Sequence, residues 1–437
     1  MCELLTRFEY QRGSGNTLKV SAEYKYLGCE YEQNGVWKKL VKRYKGKARK
    51  ATTDLWWSGA KLGGFKVETS KHVWDTMVRP GLEYGAEIFE LSKADLQLLE
   101  SEQCHAAASI LGVSGSTTHV ALRAEIGWNS IKARFDQVKL RYWWNLVTMK
   151  EGRLTKHMYD IDRKAVKDGK GWGRSWCANI ERILLDYGFD ESYWNEEKCK
   201  NYSRIEWKKL VAEHIMKFDE EACFKAIKSS DKLRTFKSLK HIYGIEDFMK
   251  IPGYKKGKAI CLALRSGTNS LRIDIGRRFN EAIGERICRC CNVETEDELH
   301  FTTRCACDEL VKLTAAYKVL VIRILEKYKV KSFFDGMDDQ MWCSLTLGDL
   351  SILPQIYHLG GERQGCAIEI YNLSLGHLEK LYSTRNAKLE SIGLDERGIV
   401  CEEPQDTVSS TELRKRISEA LSSIGPWSKW FGTKFDS

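Results

Sequence analysis

The chain has 437 residues, 43% of them hydrophobic and 30% charged, with five Pro and fifteen Cys. This is a globular balance, too long for a single compact core, and it excludes a largely disordered protein. Nowhere do about 18 consecutive apolar residues occur, which excludes a membrane-spanning helix. The formal net charge is +10, and its distribution matters more than its size.

The chain opens on Met1-Cys2-Glu3-Leu4-Leu5, without the basic region and apolar core of a secretory signal. With an odd number of scattered cysteines, the expected compartment is a reducing one, nucleus or cytoplasm. Residues Leu18 to Cys29 alternate as a strand does, and Asn34-Gly35 is a turn signal. From Val36 the pattern is helical. Helices are expected over Val36–Trp57, over Ser70–Tyr84 with a kink or break at Pro80-Gly81, and over Lys93–Leu111 between Ser92 and Gly112. The pattern continues through Thr117–Glu125 and Ser130–Met149.

Between Val36 and Pro80 there are twelve Lys or Arg and three acids, a local surplus close to that of the whole chain. Lys38, Lys39, Lys42, Arg43, Lys45, Lys47, Arg49 and Lys50 fall on the first helix with Trp37, Tyr44, Trp56 and Trp57 near them. A basic face with aromatic neighbours suits a phosphate backbone, and a solvated helix face is the equal alternative. Residues 151–255 carry basic amphipathic helices and no chemical motif.

Pro252-Gly253 marks the boundary before the richest stretch, Leu262–Cys307. Cys288, Cys291, His300 and Cys305 have the spacing C-x2-C-x8-H-x4-C. Thiolates and a neutral imidazole in a set of four close a tetrahedral site, so a structural zinc with no open position is expected. Cys290 and Cys307 are open alternatives for a neighbouring ligand. Arg265, Arg272, Arg277 and Arg278 precede the cluster. Each is either a phosphate contact, through the guanidinium fork, or an ion-pair partner of Asp274, Glu281 and Glu285. Further helices are expected over Val311–Val330, Gly361–Arg385 and Thr411–Ser422, with a linker at Arg397–Ser410.

Several segments, in order, resemble the reverse transcriptases of LINE-type (non-LTR) retrotransposons. Tyr24-Lys25-Tyr26-Leu27-Gly28 resembles the strand that closes the palm before the thumb. Arg79-Pro80-Gly81-Leu82-Glu83-Tyr84-Gly85-Ala86-Glu87 is similar to a thumb segment. Ile110-Leu111-Gly112-Val113 and Ala124-Glu125-Ile126-Gly127-Trp128 resemble the segment that follows. Arg265-Ser266-Gly267-Thr268 through Gly276-Arg277-Arg278, with the CCHC set and Glu294-Thr295-Glu296-Asp297-Glu298, is similar to the family's C-terminal zinc region.

The resemblance implies a mostly α fold. A palm-edge strand pair would occupy 1–35, a helical thumb 36–150, a helical connector 151–255, the zinc region 256–310 and a C-terminal helical region 311–437. It implies RNA and DNA, as template–primer or structured RNA, as partners, with the rest of a polymerase acting in trans. The family's catalytic centre needs convergent carboxylates for two Mg²⁺ ions. Here Asp338-Asp339 is the single Asp-Asp pair, after the zinc region and in a context that suits a loop or helix start. There is no Pro-Asp dipeptide for the family's other nuclease type. No Mg²⁺ site and no polymerase activity of the chain alone are therefore expected. The alternative from a different class is a zinc-stabilised protein-interaction scaffold without a nucleic-acid role.

Overall fold

The structure, a computed structural model, describes residues 22–26, 28–32, 37–170, 175–330 and 336–399, apart from the side chains at 355 and 357. It is mostly helical, with one small antiparallel hairpin. Strand β1 (Glu23–Tyr26) pairs with β2 (Cys29–Glu32), Tyr26 opposite Cys29. The reversal falls at Gly28, φ 82°, inside the run that reads as one alternating stretch. A two-stranded ribbon is marginal alone. This one is anchored by the buried Cys29 and by Tyr31, which packs against Trp37 and Phe89.

Helix α1 (Lys38–Trp57) buries Leu40, Val41, Tyr44, Ala48 and Thr52, one stripe at helical spacing. It packs on β2 and on α2 (Val67–Met77), α3 (Arg79–Glu83) and α4 (Lys93–Leu111). The helix expected over Ser70–Tyr84 is broken at Val78, between α2 and α3, and Pro80-Gly81 lie inside α3. Val78 leaves ideal helical dihedrals and Pro80 sits in the first turn of α3, where its missing N–H costs no hydrogen bond. Helix α4 begins where Ser92 Oγ accepts from the Asp95 N–H and ends at Gly112 in the left-handed region, as its capping residues predict.

Then follow α5 (His119–Ile126), α6 (Ile131–Val147), α7 (Leu154–Lys167), α8 (Trp176–Asp186), α9 (Glu191–Trp194) and α10 (Arg204–Lys228). Helix α10 opens with a capping box of Ser203 and Glu206, and lies along α6 and α5. Short helices α11 (Phe236–Leu239) and α12 (Asp247–Lys250) lead to α13 (Lys255–Arg265) and α14 (Arg272–Arg278). Helices α15 (Asp308–Lys327), α16 (Asp339–Thr346) and α17 (Arg363–Ser391) complete the described chain. Among the described residues no helix is long and apolar enough to cross a membrane.

One large core cluster runs from Cys29 to Leu381. It takes in α1–α4, the start of α6, α13, the cysteine region and α15–α17. A second joins the C-terminal part of α6 to α7–α10, and a third lies between α5, α10 and α11. The first compact unit is Met1–Arg385 and the second is Asn386–Ser437. The described part of the second is the end of α17 and a turn at Asp395, whose carboxylate accepts from the N–H groups of Arg397 and Ile399 at 2.9 and 3.0 Å. The helix expected over Thr411–Ser422, and all of the linker beyond residue 399, lie outside the described residues. Asn34-Gly35 lies outside them too.

Candidate metal centre and basic helix

Cys288 and Cys291 sit on a tight turn. Ile287 and Thr295 form an antiparallel bridge that closes its base. The Cys288 N–H donates to the Glu294 carbonyl, and the Asn292 N–H to the Cys288 carbonyl, both at 2.8 Å. Asn292 takes φ 55°, a conformation asparagine tolerates better than most residues. His300 and Cys305 come from a second element, a π-helical turn over His300–Arg304. The Cys305 N–H donates to the His300 carbonyl at 2.8 Å. The wider π turn lets residues five apart face one point, and such turns concentrate at functional sites.

One ligand atom from each of Cys288, Cys291, His300 and Cys305 lies within 4.8 Å of the others, and the group can hold a metal ion. Cys288 Sγ is 3.9 Å from Cys305 Sγ, and Cys291 Sγ is 3.4 Å from His300 Nε2. The two open alternatives are not members of this group. Cys290 Sγ approaches the Arg385 carbonyl at 3.9 Å, and Cys307 Sγ donates to Glu309 Oε2 at 2.9 Å. The Cys288 thiol is held well below its ordinary range by hydrogen bonds from the Cys290 and Cys305 thiols. Cys305 is pushed up in turn, chiefly by its bond to Cys288. Burial pulls the His300 imidazole down, but the bond to Cys288, the Cys288 and Cys291 charges and Glu294 bring it to about 9.

The acidic run after the first two cysteines organises the site. Glu294 Oε2 lies 3.4 Å from His300 Nδ1, which leaves Nε2 to face the thiols. Asp297 Oδ1 accepts from the His300 N–H at 2.8 Å. Glu296 and Glu298 point inward, to Arg385 and Arg234 respectively. The sequence marks these acids only as the run Glu294–Glu298 of the family-like zinc region, and their individual partners come from the fold.

The arginines before the cluster divide into two pairs. Arg265 is 1% exposed and bonds Glu246 Oε1 at 3.0 Å, with Glu125 at 3.9 Å. Arg272 is also buried and bonds Glu281 Oε2 at 2.6 Å. Neither reaches the surface, so both are withdrawn as phosphate contacts. Arg277 is half-buried, 3.5 Å from Asp274 Oδ1 and 3.2 Å from the Gly267 carbonyl. Arg278 is exposed, with one guanidinium N–H donating to the Asn269 carbonyl at 3.3 Å. Gly267 has to be glycine: φ is 64°, and a Cβ there would meet the Lys232 carbonyl oxygen at 2.4 Å.

On α1 the basic residues fall on two flanks of the solvent face. Lys38, Lys42, Lys45 and Arg49 repeat at steps of three and four, and so do Lys39, Arg43, Lys47 and Lys50. Each flank is half neutralised. Arg49 bonds the buried Glu102 at 2.6 Å, with Lys45 3.7 Å from it. Lys39 pairs with Glu23 and Arg43 with Glu30, on the two strands. Lys38, Lys42, Lys47 and Lys50 are exposed and form no ion pair among the described residues. The α1 lysines and the Arg277–Arg278 pair sit on different elements.

Asp338 caps α16, its Oδ1 accepting from the Met341 N–H at 2.8 Å, and Asp339 bonds Arg304 at 3.0 Å. The pair is a helix start, as its context predicts.

No known family, curated protein or solved structure matches the chain.

Proposed function

We propose that the chain is the nucleic-acid-binding C-terminal part of a LINE-type reverse transcriptase, with Zn²⁺ as the structural metal of the cysteine cluster. The observation that carries the reading is α1. It presents four exposed lysines that form no ion pair among the described residues, on a helix whose opposite face is fixed in the core. Such cations neutralise phosphates and release counterions, which gives affinity without sequence readout. Two further facts support it. The segments that carry the resemblance lie together in one core: Cys29 beside the palm-like strand, Leu82 and Ala86, Ile110 and Leu111, Ile126 and Trp128, and Leu262 to Leu271. The separations of 3.9 Å and 3.4 Å across the cysteine cluster also fit the edges of a tetrahedron, about 3.8 Å for S–S and about 3.6 Å for S–N, around zinc at ordinary bond lengths.

On this reading α1 tracks a template–primer duplex, Arg277 and Arg278 add contacts near the zinc region, and synthesis belongs to residues that this chain does not supply. No catalytic step is assigned to Asp338 or Asp339. A compartment with reduced thiols, nucleus or cytoplasm, goes with the reading. The test is fluorescence anisotropy with labelled RNA and RNA–DNA duplexes. The quadruple variant Lys38→Glu, Lys42→Glu, Lys47→Glu, Lys50→Glu is expected to lose binding at least a hundredfold while it keeps its fold. Unchanged affinity in the variant, or no binding by the unmodified chain, would overturn the proposal and favour a scaffold role.

A further inference from the structure

Beside the first turn of α1 lies a cleft of about 570 Å³ between the 88–96 segment, α6 and α8. Its walls include Trp37, Phe135 and Trp176, and Lys38 stands among its lining residues. The size and apolar walls are those of a site for one small group.

Among the described residues, one buried atom of the lining is unsatisfied and one lysine of the lining is unpaired. Lys139 is 5% exposed and has no hydrogen bond or ion pair among the described residues. Glu90 Oε1 is buried and without a hydrogen-bond partner among them. The other acids nearby are already engaged. Asp136 accepts from Lys132 at 2.7 Å and from the Tyr187 hydroxyl at 3.0 Å, and Asp95 accepts from Ser92 at 2.6 Å. Lys139 and Glu90 do not reach one another as an ion pair. Burial accordingly pulls the Lys139 amine down and pushes the Glu90 carboxyl up. A buried acceptor without a partner costs free energy that a ligand N–H would recover, and the unpaired Lys139 amine in the same lining offers a donor to that ligand.

We propose that this cleft receives one unstacked guanine base from a single-stranded segment of the bound nucleic acid. Lys139 donates to the guanine O6, and Glu90 Oε1 accepts from N1–H or the N2 amino group. Guanine sets a strong carbonyl acceptor beside two N–H donors on one edge, which is what a lysine and a carboxylate demand together. The indoles of Trp37 and Trp176 supply flat apolar surface for the base, as in other single-strand sites. Lys38 belongs both to this lining and to the basic face of α1, so the cleft lies where a strand following that face would pass it. The inference rests on the nucleic-acid reading of α1 and adds base selection to it.

The experiment compares six-nucleotide RNAs, all-uracil or with one central guanine, adenine or cytosine, by anisotropy. The unmodified chain is expected to bind the guanine oligomer about tenfold more tightly than the others, the order of one good base contact. Lys139→Met and Glu90→Gln should each remove that increment and leave all-uracil binding unchanged. Loss of a buried unpaired charge is not expected to harm the fold. Free guanosine monophosphate should lower the guanine oligomer to the all-uracil level, a readout that needs no variant. Binding of all four oligomers equally, a preference for another base, or an increment that survives in both variants would overturn the cleft assignment while the α1 reading stands. Binding of none of them while the RNA–DNA duplex is still bound would overturn the cleft assignment alone, and loss of duplex binding as well would overturn the α1 reading and this one with it.

Discussion

Arg385 and Glu296, 89 residues apart, form a two-bond ion pair in the core: Nε to Oε1 at 2.6 Å and Nη2 to Oε2 at 2.9 Å. Their side chains are 1% and 2% exposed. Glu296 Oε2 also accepts from the Arg272 N–H at 2.9 Å, and Cys288 Sγ lies 3.7 Å from Oε1. Arg385 donates as well to the Ser270 carbonyl at 3.2 Å. Through this pair α17 is tied to the turn that carries the first two cysteines.

The first prediction concerns that tie. A buried pair is worth little against a well-packed apolar replacement, but a lone buried charge is expensive. Arg385→Met strands the Glu296 carboxylate and is expected to lower stability by about 3–5 kcal/mol. Adding Glu296→Leu should recover most of that loss. Urea midpoints of the single and double variants decide it; a single-variant loss below about 1 kcal/mol would mean the carboxylate finds another partner or water.

Metal removal is the second. Elemental analysis is expected to find about one zinc per chain, as a closed four-ligand site holds a single ion. Cys288→Ser and Cys305→Ser should both lose it, and amide exchange should rise sharply over residues 287–305, because ligand binding and local folding are linked. Cys290→Ser and Cys307→Ser should keep the metal, since neither sulfur belongs to the four-residue group, although the Cys290 thiol hydrogen-bonds Cys288. Zinc loss in either of these would return that cysteine to the ligand set.

What could be read from the sequence was local. Ser92 and Gly112 mark the ends of α4, Pro80 marks a break, and the cysteine spacing marks the cluster, each through chemistry confined to a few neighbours. The Arg385–Glu296 pair has no such signature. Arg265 misleads for the same reason: its charge suggests the surface, and only the fold brings Glu246 and Glu125 around it. The hairpin reversal has no signature in the alternation, which runs through Gly28 unchanged although Gly28 takes a positive φ there. Lys139 and Glu90 likewise come to line one cleft only through the packing of the 88–96 segment on α6.

Salt dependence is the third prediction. Four lysines on α1 form no ion pair among the described residues, and each phosphate neutralised on a duplex contributes about 0.9 to the slope of log affinity against log salt. The unmodified chain is expected to show a slope of about −3 to −4 on an RNA–DNA duplex from these lysines alone. Lys42→Gln should reduce its magnitude by about one, and so should Lys47→Gln, whereas Lys39→Gln should change it less because Glu23 already holds that amine. Anisotropy titrations at several salt concentrations measure the slope; one unchanged by Lys42→Gln and Lys47→Gln would remove these lysines from the interface.

The last prediction is about acid. His377 on α17 is 5% exposed and stacks on Tyr317 of α15, centroids 4.3 Å apart and planes within 3°. Its Nε2 is buried without a hydrogen-bond partner among the described residues. Burial, helped by the Lys380 charge, pulls its pKa down to about 3, whereas the unfolded chain leaves histidine near ~6.5. Between these values the unfolded state binds the extra proton, so the stability held by neutral His377 is complete above about pH 6.5 and is lost as pH falls toward 3. His377→Phe keeps a ring against Tyr317 and removes the proton site. From pH 7 to pH 5 the unmodified chain should lose about 2 kcal/mol more than the variant, measured by urea unfolding at both values. Equal losses would show that water or another group already satisfies the imidazolium in the folded chain. A larger loss in the variant would mean that the histidine is charged when folded.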